Sequence, residues 1–237
     1  MTRRKELYQY YQMEGRAGHH QEKMHVKSEK YLTLTSIAKE IAVKTASNRT
    51  ALDVGCAEGW YTAWIADSAA FAVGMDLSMP KLRRAIAESN QQNTSYVLAD
   101  WDYPPFRDGS FDVVLFLQGP EHSLAPSVTL AEITRLIANS GHLIISAEIE
   151  PDGLYTKHIR SRVKSLANPF SNPFDGHLRV ITPSTLKEMI PRGYAIEQEI
   201  RQVPELSFPL KRTLERHLLG KRQYPFMILV ARKAMEA

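Results

Sequence analysis

The stretch Ala51–Tyr61 constrains the fold more than any other part of the sequence. It runs Ala-Leu-Asp-Val-Gly-Cys-Ala-Glu-Gly-Trp-Tyr, a short apolar run followed by small residues and a helix-compatible segment. This order predicts a strand, a tight turn and a helix. Glycines in such a turn permit positive φ and let a ligand approach the backbone, and the helix start offers free N–H groups. The turn therefore suits an anionic or carboxylate-bearing ligand.

The spacing of small residues in this turn excludes the dinucleotide fingerprint. G-x-G-x-x-G counted from Gly55 needs glycine at positions 57 and 60, where the chain has Ala57 and Trp60. The pattern Asp53-x-Gly55-x-Ala57-x-Gly59 instead resembles the first motif of class I S-adenosylmethionine-dependent methyltransferases, Asp/Glu-x-Gly-x-Gly-x-Gly. Alanine at position 57 is tolerable if its φ is negative and otherwise weakens cofactor binding. An ordinary glycine-containing turn is the alternative interpretation.

Length and composition bound the class of protein. A chain of 237 residues that is 43% hydrophobic and 24% charged fits one α/β domain with additions. The single cysteine, Cys56, excludes an intrachain disulfide and a zinc site of several thiolates, and it is expected to pack under the turn. The formal charge of +4 allows anionic partners without requiring them. Because no secretory signal or membrane-spanning window is apparent, we expect a cytoplasmic protein.

A second acidic residue follows the next predicted strand. Residues 60–66 are predicted as a helix and Phe71–Asp76 as a strand, which makes a βαβ unit. Asp76 lies about 20 residues beyond the first turn, where nucleoside-binding α/β folds place an acceptor for ribose hydroxyls. A carboxylate suits that task because it accepts charge-assisted hydrogen bonds. The alternative role of Asp76 is a helix-capping or turn aspartate.

The rest of the chain continues the alternation. Strands are predicted at 95–99, 142–147, 194–200 and 225–230. A further strand follows the turn at Asp108 and ends at Gln118; it is nearly continuously apolar, as in the centre of a parallel sheet. Leu130, Ile133, Leu136 and Ile137 predict a helix, with Gly141 as its left-handed terminal residue. An antiparallel pair after five parallel strands resembles the methyltransferase sheet. The predicted fold is α/β, a Rossmann-like, doubly wound, mostly parallel seven-stranded sheet with an antiparallel C-terminal strand.

Two regions are predicted as additions to a Rossmann-like domain at 36–237. Residues 1–35 form an N-terminal arm or cap, and residues 151–181 form a lid or substrate insertion that breaks the alternation. Histidines 19, 20 and 25 in the arm lack carboxylate or cysteine companions, so no metal site is predicted. Basic residues in the insertion and in the linker at 211–222 leave nucleic acid open as a partner, without favouring it.

The resemblance covers residues 35–150 best and is nearest to the small-molecule, type 11 group that includes ubiquinone- and menaquinone-biosynthetic enzymes. It implies that the glycine loop holds the methionine part of S-adenosylmethionine, that Asp76 holds the ribose, and that the pair after strand three holds the adenine. Trp101 is either a cover for the adenine face or a core anchor. The predicted cofactor-binding residues are Asp53, Gly55, Cys56, Ala57, Gly59, Asp76, Leu77, Asp100, Trp101 and Gln118.

The predicted reaction is methyl transfer to an O, N or C atom of a small-molecule acceptor of aromatic or anionic character. His122, in a Glu-His pair after strand four, is the candidate base, with His19, His20 and Tyr11 of the arm behind it; a structural hydrogen bond is its alternative role. The alternative functions are an RNA, DNA or protein methyltransferase, a non-catalytic Rossmann-like binding module, and an NAD(P)-dependent oxidoreductase. The sequence does not predict the oligomeric state.

Overall fold

The computed structural model describes residues 3–16, 29–149, 178–179, 181–202 and 226–235. Strand and helix alternate from β1 to β5, as the sequence pattern predicts. The elements in chain order are α1 (Arg3–Arg16), α2 (Glu29–Ala46), β1 (Thr50–Val54), α3 (Trp60–Ala66), β2 (Phe71–Asp76), α4 (Met79–Glu88), β3 (Thr94–Leu98), β4 (Phe111–Leu117), a 3₁₀ turn (Pro120–His122), α5 (Pro126–Arg135), β5 (Ile137–Glu148), α6 (Pro183–Glu188), β6 (Tyr194–Gln202) and β7 (Phe226–Lys233).

The described strands form one seven-stranded sheet in the order β3-β2-β1-β4-β5-β7-β6. The first five strands pair in parallel, whereas β7 is antiparallel to both β5 and β6. The predicted mostly parallel, seven-stranded Rossmann-like fold with an antiparallel C-terminal strand is thus confirmed. Because strand order reverses between β1 and β4, a crevice opens at the carboxyl ends of these two strands, which is where open α/β sheets bind ligands.

Two apolar layers cover the sheet, one on each face. Val114 and Phe116 of β4 pack with Ile133 of α5 in one layer. Val113 and Leu115, which point to the other face, pack with α2 and α3. Burial on both faces explains why β4 is apolar throughout rather than alternating.

Helix α2 carries the apolar stripe that helical spacing predicts. Leu34 and Ala38 are fully buried, together with Ala42 and Ala46 further along the helix. Helix α2 runs across position 35 without a break. The boundary between a 1–35 arm and a 36–237 domain stays a prediction. Among the helices that the structure describes, none has the length and apolar character that crossing a bilayer requires.

The predicted end of the helix after residue 130 is wrong. Helix α5 stops at Arg135, and Ile137 begins β5, which contains Gly141. Ser140, not Gly141, has the positive φ, of 63°. A Cβ at position 141 would lie 2.7 Å from the carbonyl oxygen of Asp112, so this glycine serves the close approach of β5 to β4. The apolar pair at 136–137 fits either a helix or a strand, so hydrophobic periodicity does not distinguish the two at this position.

Most of the predicted insertion at 151–181 lies outside the described residues, as do the arm histidines at 19, 20 and 25 and the basic linker at 211–222. The described part of the insertion consists of Leu178, Arg179 and Ile181. Leu178 N donates to the carbonyl oxygen of Glu121 at 2.7 Å, and Arg179 donates to the carbonyl oxygens of Ser123 and Leu124. This short segment therefore packs beside the turn that follows β4.

Candidate functional site

The predicted cofactor residues converge on one edge of the sheet, hereafter the site edge. Strands β1 to β4 are parallel neighbours, so their carboxyl ends meet there. The residues that follow these strand ends are the loop 55–59 after β1, Asp76 and Leu77 at β2, Asp100 and Trp101 after β3, and Gln118 after β4. Asp53 lies inside β1, below this edge.

The glycine loop is tied to β2 through its backbone. The N–H groups of Gly55 and Cys56 both donate to the carbonyl oxygen of Met75, at 2.7 and 3.0 Å. The Cys56 side chain is buried, and this burial raises its thiol pKa well above the ordinary value. A neutral, buried thiol is a poor nucleophile, which agrees with the packing role predicted for Cys56.

The two glycines of the loop share a positive φ but differ in surroundings. Gly55 has φ 75° and Gly59 has φ 78°. A Cβ at Gly59 would lie 2.7 Å from the Tyr96 hydroxyl and 3.0 Å from Ala85 Cβ, so packing of α3 against β3 and α4 requires glycine. A Cβ at Gly55 would come no closer than 3.4 Å to the ring of Trp101. Gly59 is therefore a packing residue, and Gly55 is the one with room beside it.

Ala57 occupies the left-handed region, with φ 50°. The condition under which alanine was expected to be tolerable, a negative φ, is therefore not met. Such a conformation costs a non-glycine residue about 1 kcal/mol. The Ala57 N–H donates to Asp76 Oδ2 at 2.9 Å, which holds the residue in this conformation.

Asp76 joins the glycine loop to the start of α4. Its Oδ2 accepts from Ala57 N, and its Oδ1 accepts from Ser78 N at 2.7 Å. The second bond is the turn interaction that the alternative interpretation expects. Each carboxylate oxygen has a second lone pair, so the orientation fixed by these bonds is compatible with accepting ribose hydroxyls.

Asp53 fixes the loop from below. It is 2% exposed, and its Oδ2 accepts from the Thr62 hydroxyl of α3 at 2.7 Å. Burial raises its pKa to about 7, although the Thr62 hydroxyl acts in the opposite direction. These contacts connect β1 to the first turns of α3 across the loop, so Asp53 supports the site from the protein side.

The two residues Asp100 and Trp101, which follow β3, have different surroundings: Asp100 lies at the site edge, and the Trp101 side chain borders the core. Asp100 Oδ1 accepts from Asp102 N at 3.0 Å, which turns the chain away from the sheet. The ring of Trp101 packs edge-on against Phe116, with centroids 5.5 Å apart, and borders the apolar core. The core-anchor alternative describes this side chain, while a role of the Trp101 backbone toward adenine stays a prediction.

The segment after β4 combines a strained backbone with a buried acid. Gln118 has φ 51°, which is uncommon for a non-glycine residue, and its N–H donates to Ser146 O at 2.9 Å. Glu121 is 1% exposed, and burial raises its pKa to about 8. The ring of His122 lies edge-on to that of Tyr11, with centroids 6.5 Å apart. The candidate base thus faces the N-terminal helix.

Helix α1 lies along the site edge, which sequence reasoning did not predict in detail. Gln12 Nε2 donates to Leu77 O at 2.7 Å, and the Ser78 hydroxyl donates to Tyr11 O at 3.0 Å. Arg4 pairs with the carboxylates of Asp100 and Asp102. Most of these contacts are polar, so hydrophobic periodicity carried no signal for them. The tyrosines of the predicted arm were the available hint.

These residues fit S-adenosylmethionine. The positive-φ loop has space for a Cβ at Gly55, beside the Trp101 ring, and carboxylates lie at the ends of the two neighbouring strands β2 and β3. Three features of the cofactor, a carboxylate, a ribose diol and an amino-bearing base, correspond to these groups. Within the described ranges, no three His, Cys, Asp or Glu side chains cluster as metal ligands would.

Comparison with known proteins supports a methyltransferase domain. Residues 52–145 match the family described as "Methyltransferase domain". The chain is 32% identical to the chloroplastic tocopherol O-methyltransferase of Arabidopsis thaliana over 99 residues, 40% of this chain and 28% of that protein. It is 26% identical to the demethylmenaquinone methyltransferase of Renibacterium salmoninarum over 138 residues, 56% of this chain and 57% of that protein. The matched region thus spans about a quarter to just over half of these relatives.

Solved structures share the fold at low identity. The N-methyltransferase NodS from Bradyrhizobium japonicum, in complex with S-adenosylhomocysteine, aligns with TM-score 0.69 and 11% identity over 96% of this chain and 98% of that chain. A putative methyltransferase from Bacillus halodurans aligns with TM-score 0.66 and 18% identity over 84% of this chain and 98% of that chain. The [4+2]-cyclase SpnF aligns with TM-score 0.63 and 16% identity over 87% of this chain and 83% of that chain, so the fold alone does not fix the reaction.

The family match covers β1 to β5, which carry the glycine loop, Asp76 and Asp100. The mostly parallel, seven-stranded sheet with an antiparallel C-terminal strand is the one expected from the motif resemblance. The resemblance predicted from the sequence is thereby confirmed. Residues 52–145 thus match a methyltransferase domain in sequence, and the sheet has the fold of the solved structures described above.

Proposed function

We propose that this protein transfers the methyl group of S-adenosylmethionine to a small-molecule acceptor. The observation that carries the proposal is the convergence of the glycine loop, Asp76 and Asp100 on the edge where strand order reverses. These features lie far apart in sequence, and each corresponds to a different part of the cofactor. Their convergence within a methyltransferase domain supports this function over the alternatives.

The chain contributes binding and orientation to this reaction. The glycine loop 55–59, which includes Cys56 and Ala57, would lie against the methionine part of the cofactor; Asp76 and Leu77 would hold the ribose; Asp100 and the Trp101 N–H would hold the adenine. Gln118, at the end of β4, borders the methyl group. When bound, the cofactor supplies an activated methyl group on a sulfonium. The residues therefore need only align the acceptor in line with the methyl carbon and exclude water.

For the acceptor we propose a phenol or quinol. Two curated relatives are named for tocopherol, which is a phenol, and for demethylmenaquinone, whose reduced form is a quinol. The ring of Tyr11 beside His122 offers an aromatic wall at the end of β4. His122 would accept the proton that the acceptor loses on methylation, from the hydroxyl for O-methylation and from the ring carbon for C-methylation; the bound cofactor would supply the methyl group and leave as S-adenosylhomocysteine.

The test is methyl transfer from S-[methyl-³H]adenosylmethionine to a panel of phenols, catechols and naphthoquinols, with transfer RNA and peptides as further arms. We expect incorporation into a phenolic or quinol member. His122→Ala should lower kcat about a hundredfold, the typical contribution of a positioned base. His142→Ala, on the sheet surface beside Glu197, is the matched control and should retain activity. Incorporation only into RNA or peptide would contradict the small-molecule acceptor.

Two other functions would give distinct results. A nucleic-acid methyltransferase should bind RNA or DNA with an affinity that falls steeply with salt. A non-catalytic module, which the left-handed Ala57 favours, should bind S-adenosylhomocysteine without turnover on any acceptor. The cytoplasmic location stays a prediction.

A further inference from the structure

Arg4 places a planar cation at the site edge. Its Nη1 donates to Asp100 Oδ2 at 3.2 Å, and its Nη2 donates to Asp102 Oδ2 at 2.6 Å. The guanidinium carbon lies 4.7 Å from the centroid of the Tyr103 ring. Arg4 thus packs on an aromatic ring while donating an N–H to Asp100.

The adenine of the cofactor would use the same features. Adenine is planar, stacks on aromatic rings, and donates N–H groups from its exocyclic amino group. Asp100 is the carboxylate proposed to accept that bond. Its Oδ1 accepts from Asp102 N at 3.0 Å and its Oδ2 accepts from Arg4, so Arg4 occupies part of the acceptor capacity that the adenine amino group would use.

The two contacts of Arg4 differ in burial. The Asp102 side chain is 3% exposed and also accepts from the Thr129 hydroxyl, whereas the Asp100 side chain is 24% exposed. The contact with Asp102 is shorter and better shielded from water, so it is the stronger of the two. Arg4 can therefore leave Asp100 while Asp102 keeps it nearby.

We propose that Arg4 is a specificity-determining residue of the cofactor site, whose guanidinium competes with the adenine amino group for Asp100. The proposal rests on the proposed function, because it takes Asp100 as the adenine acceptor. Competition has a consequence for α1, which Arg4 attaches to the end of β3 and which Tyr11 and Gln12 attach to the end of β2. Arrival of adenine at Asp100 loosens the first of these attachments and leaves the two near Leu77 and Ser78.

The test is calorimetric titration of S-adenosylhomocysteine into the wild-type protein and the variants Arg4→Ala, Arg4→Lys and Lys5→Ala. Removal of the competitor should tighten binding about threefold to fivefold in Arg4→Ala, the range expected for a partly exposed ion pair. Arg4→Lys keeps the positive charge without the planar guanidinium, so its affinity for S-adenosylhomocysteine should lie between those of the wild type and Arg4→Ala. Lys5→Ala removes the same charge from an exposed neighbouring position and should bind as the wild type does.

A second ligand identifies the group that competes. S-inosylhomocysteine carries a carbonyl oxygen where adenine has its amino group, so that position accepts a hydrogen bond and cannot donate one to Asp100. We expect no gain in its affinity in Arg4→Ala. An equal gain for both ligands, or an Arg4→Ala protein that binds S-adenosylhomocysteine no more tightly than the wild type, would overturn the proposal alone. Absence of S-adenosylhomocysteine binding in every variant would overturn the proposed function together with it.

Discussion

The carboxylates at the ends of β2 and β3 accept hydrogen bonds from the backbone around them. The segment after β4, in contrast, buries a carboxyl group that accepts few hydrogen bonds. Both oxygens of Asp76 accept from N–H groups, and Asp100 accepts from Asp102 N and from Arg4. Glu121 Oε1 accepts one N–H, from Glu148 at 3.3 Å, and among the described residues Oε2 has no hydrogen-bond partner. We call these regions the cofactor half and the acceptor half.

The two halves differ in how much their polar groups reduce the stability of the folded protein. Carboxylates that are already hydrogen-bonded are pre-oriented, so little is lost when a ligand binds to them. A buried acid and a left-handed Gln118 both cost stability, and such features cluster at reactive sites. We infer that the cofactor half is built for binding and that the acceptor half gives up stability for function.

The largest effect should come from Glu121→Gln. Burial raises the pKa of Glu121 from 4.5 to about 8, so its contribution to stability is fully present below pH 4.5 and is lost as pH rises to about 8. At pH 7 the loss is about 3 kcal/mol, from 1.36 kcal/mol per pH unit. Urea unfolding should find Glu121→Gln more stable than the wild type at pH 8 and similar at pH 4.5. The same difference in free energy of unfolding at both pH values, or a pH-dependent gain in stability in the exposed control Glu188→Gln, would contradict the role given to Glu121.

Asp76→Ala should come next, through the cofactor half. It removes the acceptor for ribose and the bonds from Ala57 N and Ser78 N. Loss of charge-assisted hydrogen bonds should weaken S-adenosylhomocysteine binding about a hundredfold in calorimetry. Asp108→Ala, which removes a carboxylate that is 78% exposed at the opposite end of β4, should leave affinity unchanged. Equal affinities for all three proteins would argue that the cofactor half is not a cofactor site.

Gly59→Ala against Gly55→Ala separates packing from ligand access within the loop. A Cβ at position 59 would meet Tyr96 at 2.7 Å, so Gly59→Ala should lower the free energy of unfolding by about 2 kcal/mol. Gly55→Ala, with its nearest neighbour at 3.4 Å, should lose about 1 kcal/mol for its positive φ, yet should weaken S-adenosylhomocysteine binding. The opposite ranking in stability would show that the two glycines have been assigned the wrong roles.

The smallest effect should be a gain, from Ala57→Gly. Glycine adopts φ 50° without steric cost, so unfolding should require about 1 kcal/mol more than in the wild type. Affinity for S-adenosylhomocysteine should rise as well, because the loop no longer opposes its bound conformation. Reduced stability and unchanged affinity would mean that Ala57 is not strained. Ala63→Gly, inside α3, is a control that should lose stability instead.

Much of the cofactor half could be predicted from the sequence because its residues follow strand ends directly. Asp76 and Asp100 each come after a recognisable strand, and parallel pairing brings such positions to one edge. The order of the sheet could be predicted only through family resemblance. Pattern alone failed at residues 136–141, where apolar spacing fits both a helix and the start of β5.

The other features of the site and fold depend on contacts between residues that are distant in sequence, which no local sequence pattern predicts. Arg4 reaches Asp100 across 96 positions through polar groups, so the hydrophobic spacing of α1 gives no sign of it. Tyr96 excludes side chains from Gly59 and from Gly74, a role visible only once β3 lies beside β2. The burial of Glu121 likewise arises from β5 and residue 178, which are distant in sequence.

The most direct test of the central claim is calorimetric titration of the wild-type protein with S-adenosylhomocysteine, with NADH as the parallel ligand. The account predicts saturable binding of S-adenosylhomocysteine in the micromolar range or tighter, about −8 kcal/mol, and no binding of NADH. Binding of NADH alone, or of neither ligand, would contradict the assignment of the site edge to S-adenosylmethionine.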